Sequence, residues 1–138
     1  VRSFRPSTCA KPSWILSFPL TKSRPFRSTS RETTLTSTSS SAVTATTDYI
    51  FLLSEYEVFG SCSIANSNEA SRQQQYAYYS AGNSKVKYRH TSTSSTAIWW
   101  LRSAYRNGSS SFAYVLTSGY VNYGSASYSL GVAPGFCV

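Results

Sequence analysis

The residues best suited to acid–base chemistry are Glu55, Glu57 and His90, the only histidine. On an extended strand, two-residue spacing would place both carboxylates on one face, as an acid–base pair requires. That spacing is common in strands, so we favour pairing of the glutamates with Arg102 or Lys87. Arg102 follows two tryptophans, and we expect it to stack on one of them or to hold a carboxylate in the core. His90 lies in a polar segment, where a histidine is usually solvated.

Motifs of catalysis and metal binding are missing from the sequence. It has no HExxH, GxSxG, phosphate-binding glycine loop or calcium loop. Five acidic residues are few for a carboxylate cage. Cys9, Cys62 and Cys137 cannot all pair within one chain and lack metal-ligand spacing; we interpret Cys137 as a small buried residue. We therefore expect no enzyme, no catalytic residue, no metal and no cofactor.

The net charge of +8 is unevenly distributed along the chain. Residues 1–45 carry seven Lys or Arg and one Glu, which leaves net +2 for the remainder. A folded nucleic-acid-binding surface carries its positive charge on the domain itself. The distribution therefore argues against a specific nucleic-acid partner.

Residues 1–47 differ in composition from the rest. They scatter four prolines among aperiodic apolar residues and are rich in Ser and Thr from Ser28 to Thr47. The apolar run Trp14–Leu20 is too short to span a membrane, and no small-residue cleavage site follows it. We predict an irregular basic arm or linker over residues 1–47, a domain over residues 48–138, no membrane span and no targeting segment.

Two segments early in the domain show element signals. The run YIFLLSEYEVFG is rich in β-forming residues and predicts a strand ending at Gly60. The stretch SNEASRQQQYAYYSAGNS predicts one short helix, with Ser67 or Asn68 as N-cap, Glu69 in the first turn and Gly82 at its end.

The later segments carry strand, turn and burial signals. KVKYRH alternates and predicts a short exposed strand, whereas the apolar and aromatic TAIWWLRS predicts a buried segment. Asn107-Gly108-Ser109 matches a glycosylation sequon, but Asn-Gly is first a turn signal, so we predict a turn here. FAYVLTSGYVNY predicts a β-hairpin in which Gly119 supplies the positive φ of a three-residue loop. LGVAPGFCV predicts a terminal strand that Pro134 limits to an edge or a bulge.

The hairpin alternation sorts its residues onto two faces. The predicted core set is Ala113, Val115 and Val121, and the opposite set is Phe112, Tyr114, Leu116, Tyr120 and Asn122. Nine of the eleven tyrosines lie between Tyr76 and Tyr128, among many Ser, Asn and Gly. Antibody loops use this composition, because tyrosine supplies rigid contact area and the small polar residues supply adaptable hydrogen bonds. We interpret this face as a recognition surface; the alternative is a tyrosine-rich solvent face without a partner.

The segments FLLSEYEVFG, QYAYYSAGNSKVKY, AIWWLRS and YSLGVAPGFCV, in this order and spacing, resemble a bacterial domain-of-unknown-function family of gut bacteria and their prophages. The resemblance covers about Asp48 to Val138. It implies an α+β, C-type-lectin-like (formylglycine-generating-enzyme-like) domain with short antiparallel strands, one or two short helices and much loop. Several such domains are variable proteins of diversity-generating retroelements, in which a reverse transcriptase rewrites codons for exposed ligand-binding residues near the C-terminus.

The resemblance also implies roles for individual residues. The ligand-binding set is Tyr105, Asn107, Ser109, Ser111, Phe112, Tyr114, Tyr120, Asn122, Tyr123 and Ser125. The structural set is Trp99, Trp100, Arg102, Gly119, Gly131, Pro134 and Phe136. The chain lacks the paired active-site cysteines of the enzyme branch and the carboxylate-rich motifs of calcium-dependent lectins. Catalysis and sugar specificity are therefore not implied.

The implied function is recognition of a protein or glycan on a cell surface, in a phage tail (virion) or at the bacterial cell surface. The alternative is a structural decoration or assembly module of a phage particle, whose tyrosines contact neighbouring copies in a homo-oligomer or other phage proteins. An enzyme of the formylglycine-generating branch is a third reading and would need a site around Glu55, Glu57 and His90.

A frameshift is one hypothesis for the arm. Family members usually have a helical region with a Leu-Pro turn before the domain, and this chain does not. With permitted codons, another frame of the stretch from Thr8 to Phe26 reads as an amphipathic helix of that kind. On this hypothesis the arm is not a selected sequence.

Overall fold

Strands and short helices alternate along the described part of the chain. The computed structural model describes residues 32–37 and 43–136, which form ten strands and three helices. The strands are β1 (Glu32–Ser37), β2 (Val43–Asp48), β3 (Phe51–Leu52), β4 (Lys87–Arg89), β5 (Ser92–Ala97), β6 (Trp99–Ala104), β7 (Ser111–Val115), β8 (Val121–Ser125), β9 (Gly131–Val132) and β10 (Pro134–Gly135). The helices are α1 (Glu55–Phe59), a 3₁₀ helix (Ser67–Arg72) and α2 (Ala77–Ser80). This mixture, with mainly antiparallel pairing, confirms the predicted α+β class.

The main sheet has four strands in the order β8-β7-β6-β9. Strand β7 pairs antiparallel with both β6 and β8, whereas β9 runs parallel to β6. Strand β6 is largely buried, as its apolar sequence predicts. Gly131 allows β9 to approach closely, because a Cβ at this position would lie 2.9 Å from the carbonyl oxygen of Ile98.

The predicted β7–β8 hairpin is confirmed, including its loop. The Leu116 N–H donates to the Tyr120 carbonyl at 2.8 Å, which closes the hairpin around residues 117–119. Gly119 has φ +86°, the left-handed conformation that the three-residue loop requires. A Cβ at Gly119 would lie 3.5 Å from Val86 Cγ2 and 3.9 Å from Lys85 Cβ, so the tip rests against that segment.

The hydrophobic core lies between one face of the main sheet and the helices. Its buried members are Phe51, Leu53, Val58, Tyr79, Trp99, Leu101, Ala113 and Val115. Ala113 and Val115 are fully buried and Val121 packs against the cluster, so the predicted core face of the hairpin is confirmed.

The strand predicted through Glu55 and Glu57 is wrong beyond Leu52, because α1 begins after Ser54. Ser54 Oγ accepts from the Glu57 N–H at 3.1 Å, and Glu57 Oε2 accepts from the Ser54 N–H at 2.9 Å. This capping box satisfies donors that a helix start otherwise leaves unpaired. Gly60, in the left-handed conformation, ends the helix.

The single helix predicted over residues 67–84 is two separate elements. Asn66, rather than either predicted residue, caps the 3₁₀ helix, and its side chain accepts from the Asn68 N–H at 3.0 Å. Helix α2 begins after Tyr76, whose N–H donates to the Glu57 carbonyl at 3.0 Å. The three glutamines between the two elements give a continuous helix no apolar face to bury. Gly82, with φ +82°, follows α2 near the predicted end.

Three two-stranded sheets complete the described structure. Strand β4 pairs with β5, which confirms the short strand predicted in KVKYRH, and β1 pairs with β2 in a segment where the sequence shows no strand period. The predicted terminal strand is two short ones: β9 lies at an edge of the main sheet and β10, which contains Pro134, pairs with β3.

Some predictions fall outside this structure. Those on Cys9, Cys137, the run Trp14–Leu20 and the frameshift lie outside the described residues, and the domain boundary at residue 48 stays a prediction. Within residues 32–37 and 43–136, every helix is too short or too polar to cross a membrane.

Candidate ligand-binding surface

The main sheet carries the core on one face and aromatic and amide side chains on the other. Strand alternation turns Trp99 inward and Trp100 outward. Trp100 lies opposite Tyr114 on β7, and Tyr114 lies opposite Asn122 on β8. We define the outer face as Trp100, Phe112, Tyr114, Asn122, Tyr128 and Val132.

The aromatic rings of the outer face are held by one another and by a glycine. The rings of Trp100 and Tyr114 meet edge to face, with centroids 5.6 Å apart and an interplanar angle of 77°. Gly124 lies against the Tyr114 ring and one further ring, that of Tyr128, because a Cβ there would be 2.9 Å from ring carbons of both. Aromatic side chains fixed in this way present contact area at low entropic cost.

A cavity opens beside these rings, with a volume of about 320 Å³. Its walls are formed by Leu52, Trp100, Leu101, Arg102, Phe112 and Ala126. This volume is at the lower end of the range for small-ligand pockets, roughly 300–1,000 Å³. The mostly apolar lining suits the apolar face of a sugar ring or a side chain of a protein ligand.

The charge of Arg102 in the cavity wall is compensated. Its Nη1 lies 2.7 Å from Glu57 Oε2, and its Nη2 donates to Glu57 Oε1 at 2.7 Å. Nη1 also donates to the Leu52 carbonyl at 2.6 Å. The structure thus confirms that Arg102 holds a carboxylate in the core and that Glu57 is its partner. Because the ion pair is bidentate and buried, it lends the cavity little net charge.

A second aromatic pair lies at the edge of the inner face. Tyr105 and Tyr123 stack with centroids 3.9 Å apart and planes within 9° of parallel. Hydrogen bonding with Tyr123, then with Asn107, lowers the pKa of Tyr105, and the nearby charge of Arg106 acts in the same direction. The same hydrogen bond raises the pKa of Tyr123.

The predicted ligand-binding set occupies one stretch of chain but three places. Phe112, Tyr114 and Asn122 lie on the outer face; Tyr105, Ser111, Tyr123 and Ser125 lie toward the inner face; Asn107, Ser109 and Tyr120 lie in loops. The Gly108 N–H donates to the Tyr105 carbonyl at 3.2 Å, so the turn predicted at Asn107-Gly108 is confirmed. Tyr120 at the hairpin tip is 73% exposed. The structure does not bring these positions onto a single face.

The predicted structural set includes one residue that the structure places differently. Trp99 is buried and its Nε1 donates to the Lys85 carbonyl at 3.0 Å, whereas Trp100 lies on the outer face and lines the cavity. Side chains alternate along a strand, so only one of two adjacent tryptophans can face the core. The outward position of one of these two tryptophans was therefore predictable from the sequence. Tyr128, which is 55% exposed, follows β8 in a turn. No pattern in the sequence predicts its place on the outer face.

Glu55 and His90 do not come together in a catalytic arrangement. Glu55 is fully buried, and its carboxylate accepts from the N–H and hydroxyl of Ser63 and from the N–H of Ala65, each at 2.7 Å. It therefore fixes the loop after α1. His90 is exposed in the β4–β5 turn, and the described contacts join it to neither Glu55 nor Glu57.

A buried polar chain continues from Glu55 without forming a metal site. Ser103 Oγ accepts from the Glu55 N–H at 2.7 Å and donates to Glu69 Oε2 at 2.6 Å.

Burial, with help from the negative charges of Glu69 and Glu55, raises the pKa of the Cys62 thiol to about 12, so the thiol stays protonated at neutral pH. Among the described residues no three His, Cys, Asp or Glu side chains are grouped to hold a metal. The expectation of no catalytic activity stays a prediction.

Comparison with known proteins places the chain in a sequence family. A family profile described as Domain of unknown function (DUF6273) matches residues 21–138, and so includes the whole Ser/Thr-rich segment from Ser28 to Thr47 as well as the region after residue 48. No curated protein and no solved structure matches the chain.

Proposed function

Because the chain belongs to the DUF6273 family, whose function is unknown, we propose a function from the surface itself. The domain is a ligand-binding module that recognises a protein or a glycan on a cell surface through the outer face. It works as part of a phage tail or of a bacterial surface protein.

The observation that carries this proposal is the outer face beside its cavity. Trp100, Phe112, Tyr114 and Tyr128 present aromatic surface away from the core, and the one cation in the cavity wall is neutralised by Glu57. Aromatic residues around a desolvated pocket are the usual source of binding energy in interfaces. Asn122, which is exposed and opposite Tyr114, adds a hydrogen-bonding amide.

Two finer statements belong to the same proposal. The α+β domain is of the C-type-lectin-like kind, and its ligand-binding residues are diversified by a retroelement. The second statement is supported by the placement of all ten predicted variable positions between residues 105 and 125, in β7, β8 and their loops. Variation there would leave the buried residues of β6 and the helices unchanged.

The DNA around the gene tests the diversification. We expect a reverse transcriptase gene nearby and a near-copy of the codons for Trp99 to Val138 that differs mainly at adenines. A locus without either would contradict diversification and leave a fixed domain, and the same DNA shows whether the arm is in frame.

Binding itself is tested with intact cells. The labelled full chain is titrated onto a panel of gut bacteria, and bound fluorescence is measured by flow cytometry. We expect saturable binding to at least one strain, competed by unlabelled chain. Protease treatment of the cells removes a protein ligand, whereas periodate oxidation removes a glycan.

The assembly alternative makes the opposite prediction. If the tyrosines contact neighbouring copies, the chain self-associates in sedimentation experiments and binds no strain. In an intact phage, Tyr114→Ala and Tyr120→Ala would then prevent particle assembly. Normal particles that fail to attach would support binding instead.

A further inference from the structure

Two tyrosine rings at the edge of the inner face lie directly over one another. Tyr105 follows β6 and Tyr123 lies in β8, and their rings stack with centroids 3.9 Å apart and planes within 9° of parallel. The two hydroxyl groups are also hydrogen-bonded to each other. Because the ring centres and the hydroxyls of the pair are both close, the ring carbons beside each hydroxyl, the Cε atoms, lie next to those of the partner ring.

The fold, rather than nearness in sequence, brings these rings together. The Tyr105 N–H donates to the Ser111 carbonyl at 2.9 Å, and the Tyr105 carbonyl accepts from the Gly108 N–H at 3.2 Å. Gly108 also packs against the ring, because a Cβ there would lie 3.1 Å from Tyr105 Cδ1. Tyr123 is placed by its register in β8, opposite Ala113. The turn after β6 and the sheet therefore fix the two partners independently.

Both rings of this pair can be reached from solvent. Tyr123 is 41% exposed, and Tyr105 is partly exposed. Tyr78 and Tyr79 also touch, but their planes are nearly perpendicular, at 84°, and Tyr79 is buried. Parallel stacking and access to solvent are thus combined at Tyr105 and Tyr123 and not at Tyr78 and Tyr79.

We propose that Tyr105 and Tyr123 form an oxidative cross-linking site, at which hydrogen peroxide, acting through a haem peroxidase, joins the two rings as dityrosine. The peroxidase removes one hydrogen atom from each hydroxyl, and the two tyrosyl radicals form one Cε–Cε bond. Each of these Cε atoms then loses its hydrogen as a proton while the oxygen of the same ring regains one. The two hydrogen atoms that leave the protein reduce one hydrogen peroxide to two waters.

The bond would join the end of β6 covalently to β8. Within the described residues Cys62 is a free thiol, and no disulfide joins these strands. A link between Tyr105 and Tyr123 closes the segment that contains β7 and the hairpin loop, and it restricts the unfolded chain as a disulfide does. The site lies away from the outer face, so it does not rest on the proposed function.

Oxidation of the full chain tests the site. Dilute protein is treated with a haem peroxidase and hydrogen peroxide, digested with trypsin and analysed by mass spectrometry. Trypsin separates Tyr105, in residues 103–106, from Tyr123, in residues 107–138. We expect these two peptides to be joined, with the loss of two hydrogen atoms, roughly tenfold more often than any other pair of tyrosine peptides, because the rings are already held together. The link forms within one chain, so its yield should not change on dilution.

Phenylalanine variants locate the bond. Tyr105→Phe and Tyr123→Phe keep both rings but remove a phenol hydroxyl, so each should abolish the joined peptide. Tyr120→Phe removes the hydroxyl of a tyrosine that is 73% exposed, and should leave the joined peptide unchanged. A joined peptide that persists in Tyr123→Phe, a yield that falls on dilution, or a peptide of residues 103–106 that stays unlinked would overturn the proposal.

Discussion

Replacing Tyr114 with alanine should weaken binding of the chain to its target cells by roughly 30-fold or more, the loss typical of a central interface aromatic, about 2 kcal/mol. Tyr114 has neighbours on every side of the outer face: its ring contacts Trp100, lies against Gly124 and stands opposite Asn122. Its removal therefore takes away contact area and also releases the Trp100 ring from its fixed position. The measurement is the dissociation constant from cell titrations, with the melting temperature of each variant recorded alongside.

Three further variants make this result specific. Tyr114→Phe keeps the ring and should retain most of the affinity. Tyr49→Ala removes a tyrosine that is 51% exposed but outside the outer face, and should bind as the parent does. Asn122→Arg adds bulk and charge to the face without removing any packing, and should also weaken binding. If Tyr49→Ala lost as much affinity as Tyr114→Ala, or if Asn122→Arg kept full affinity, the outer face would not be the binding surface.

The hairpin was predictable because its signals are local. Period-two alternation and a glycine at the loop position are both contained in twelve consecutive residues, and the structure has Ala113 and Val115 inward, Tyr114 outward and Gly119 at positive φ. The position of β9 beside β6 was not predictable in the same way. That position depends on contact between segments some thirty residues apart, and no local sequence pattern predicts which distant segments pair.

Helix α1 shows how a local signal can be outweighed. The aromatic and apolar residues of YIFLLSEYEVFG favour a strand, yet Ser54 and Glu57 have the spacing of a capping box. Tertiary contacts decide between the two: as a helix, the segment buries Val58 and aims Glu57 at Arg102. The pairing of glutamate with Arg102 was predictable from charge alone, since the domain offers few cations, but the helix that achieves it was not.

The predicted ligand-binding positions lie on neighbouring strands and loops but do not form one surface. The positions carried over from the resemblance lie on β7, β8 and their loops, but consecutive residues of a strand face opposite sides, so Asn122 and Tyr123 cannot share a surface. Trp100 joins the outer face from β6, a strand that the resemblance assigned to scaffold. A contiguous surface is built from neighbouring strands, and the order of those strands is a tertiary property.

Removing the guanidinium of Arg102 should destabilise the fold by about 3–5 kcal/mol, because it leaves a buried carboxylate without its partner. Arg102→Met preserves much of the side-chain volume, so the loss would report on charge and hydrogen bonding rather than on a cavity. Glu57 is 8% exposed, and its carboxylate also accepts from the Ser54 N–H at the start of α1. We expect the midpoint of urea denaturation to fall strongly, whereas Arg106→Met, at an exposed loop position, should change stability by less than about 0.5 kcal/mol.

The double variant Glu57→Leu with Arg102→Met separates the need for the ion pair from the cost of breaking it. Buried ion pairs can often be replaced by apolar residues at little cost, so the double variant should recover most of the stability lost in Arg102→Met. We expect it to remain about 1 kcal/mol below the parent, because Leu cannot complete the capping box with Ser54. A double variant less stable than Arg102→Met would instead show that the bidentate geometry, and not only charge compensation, holds α1 against β6. Cell binding by the double variant then decides whether the guanidinium in the cavity wall serves folding alone, in which case affinity is retained, or also contacts the ligand.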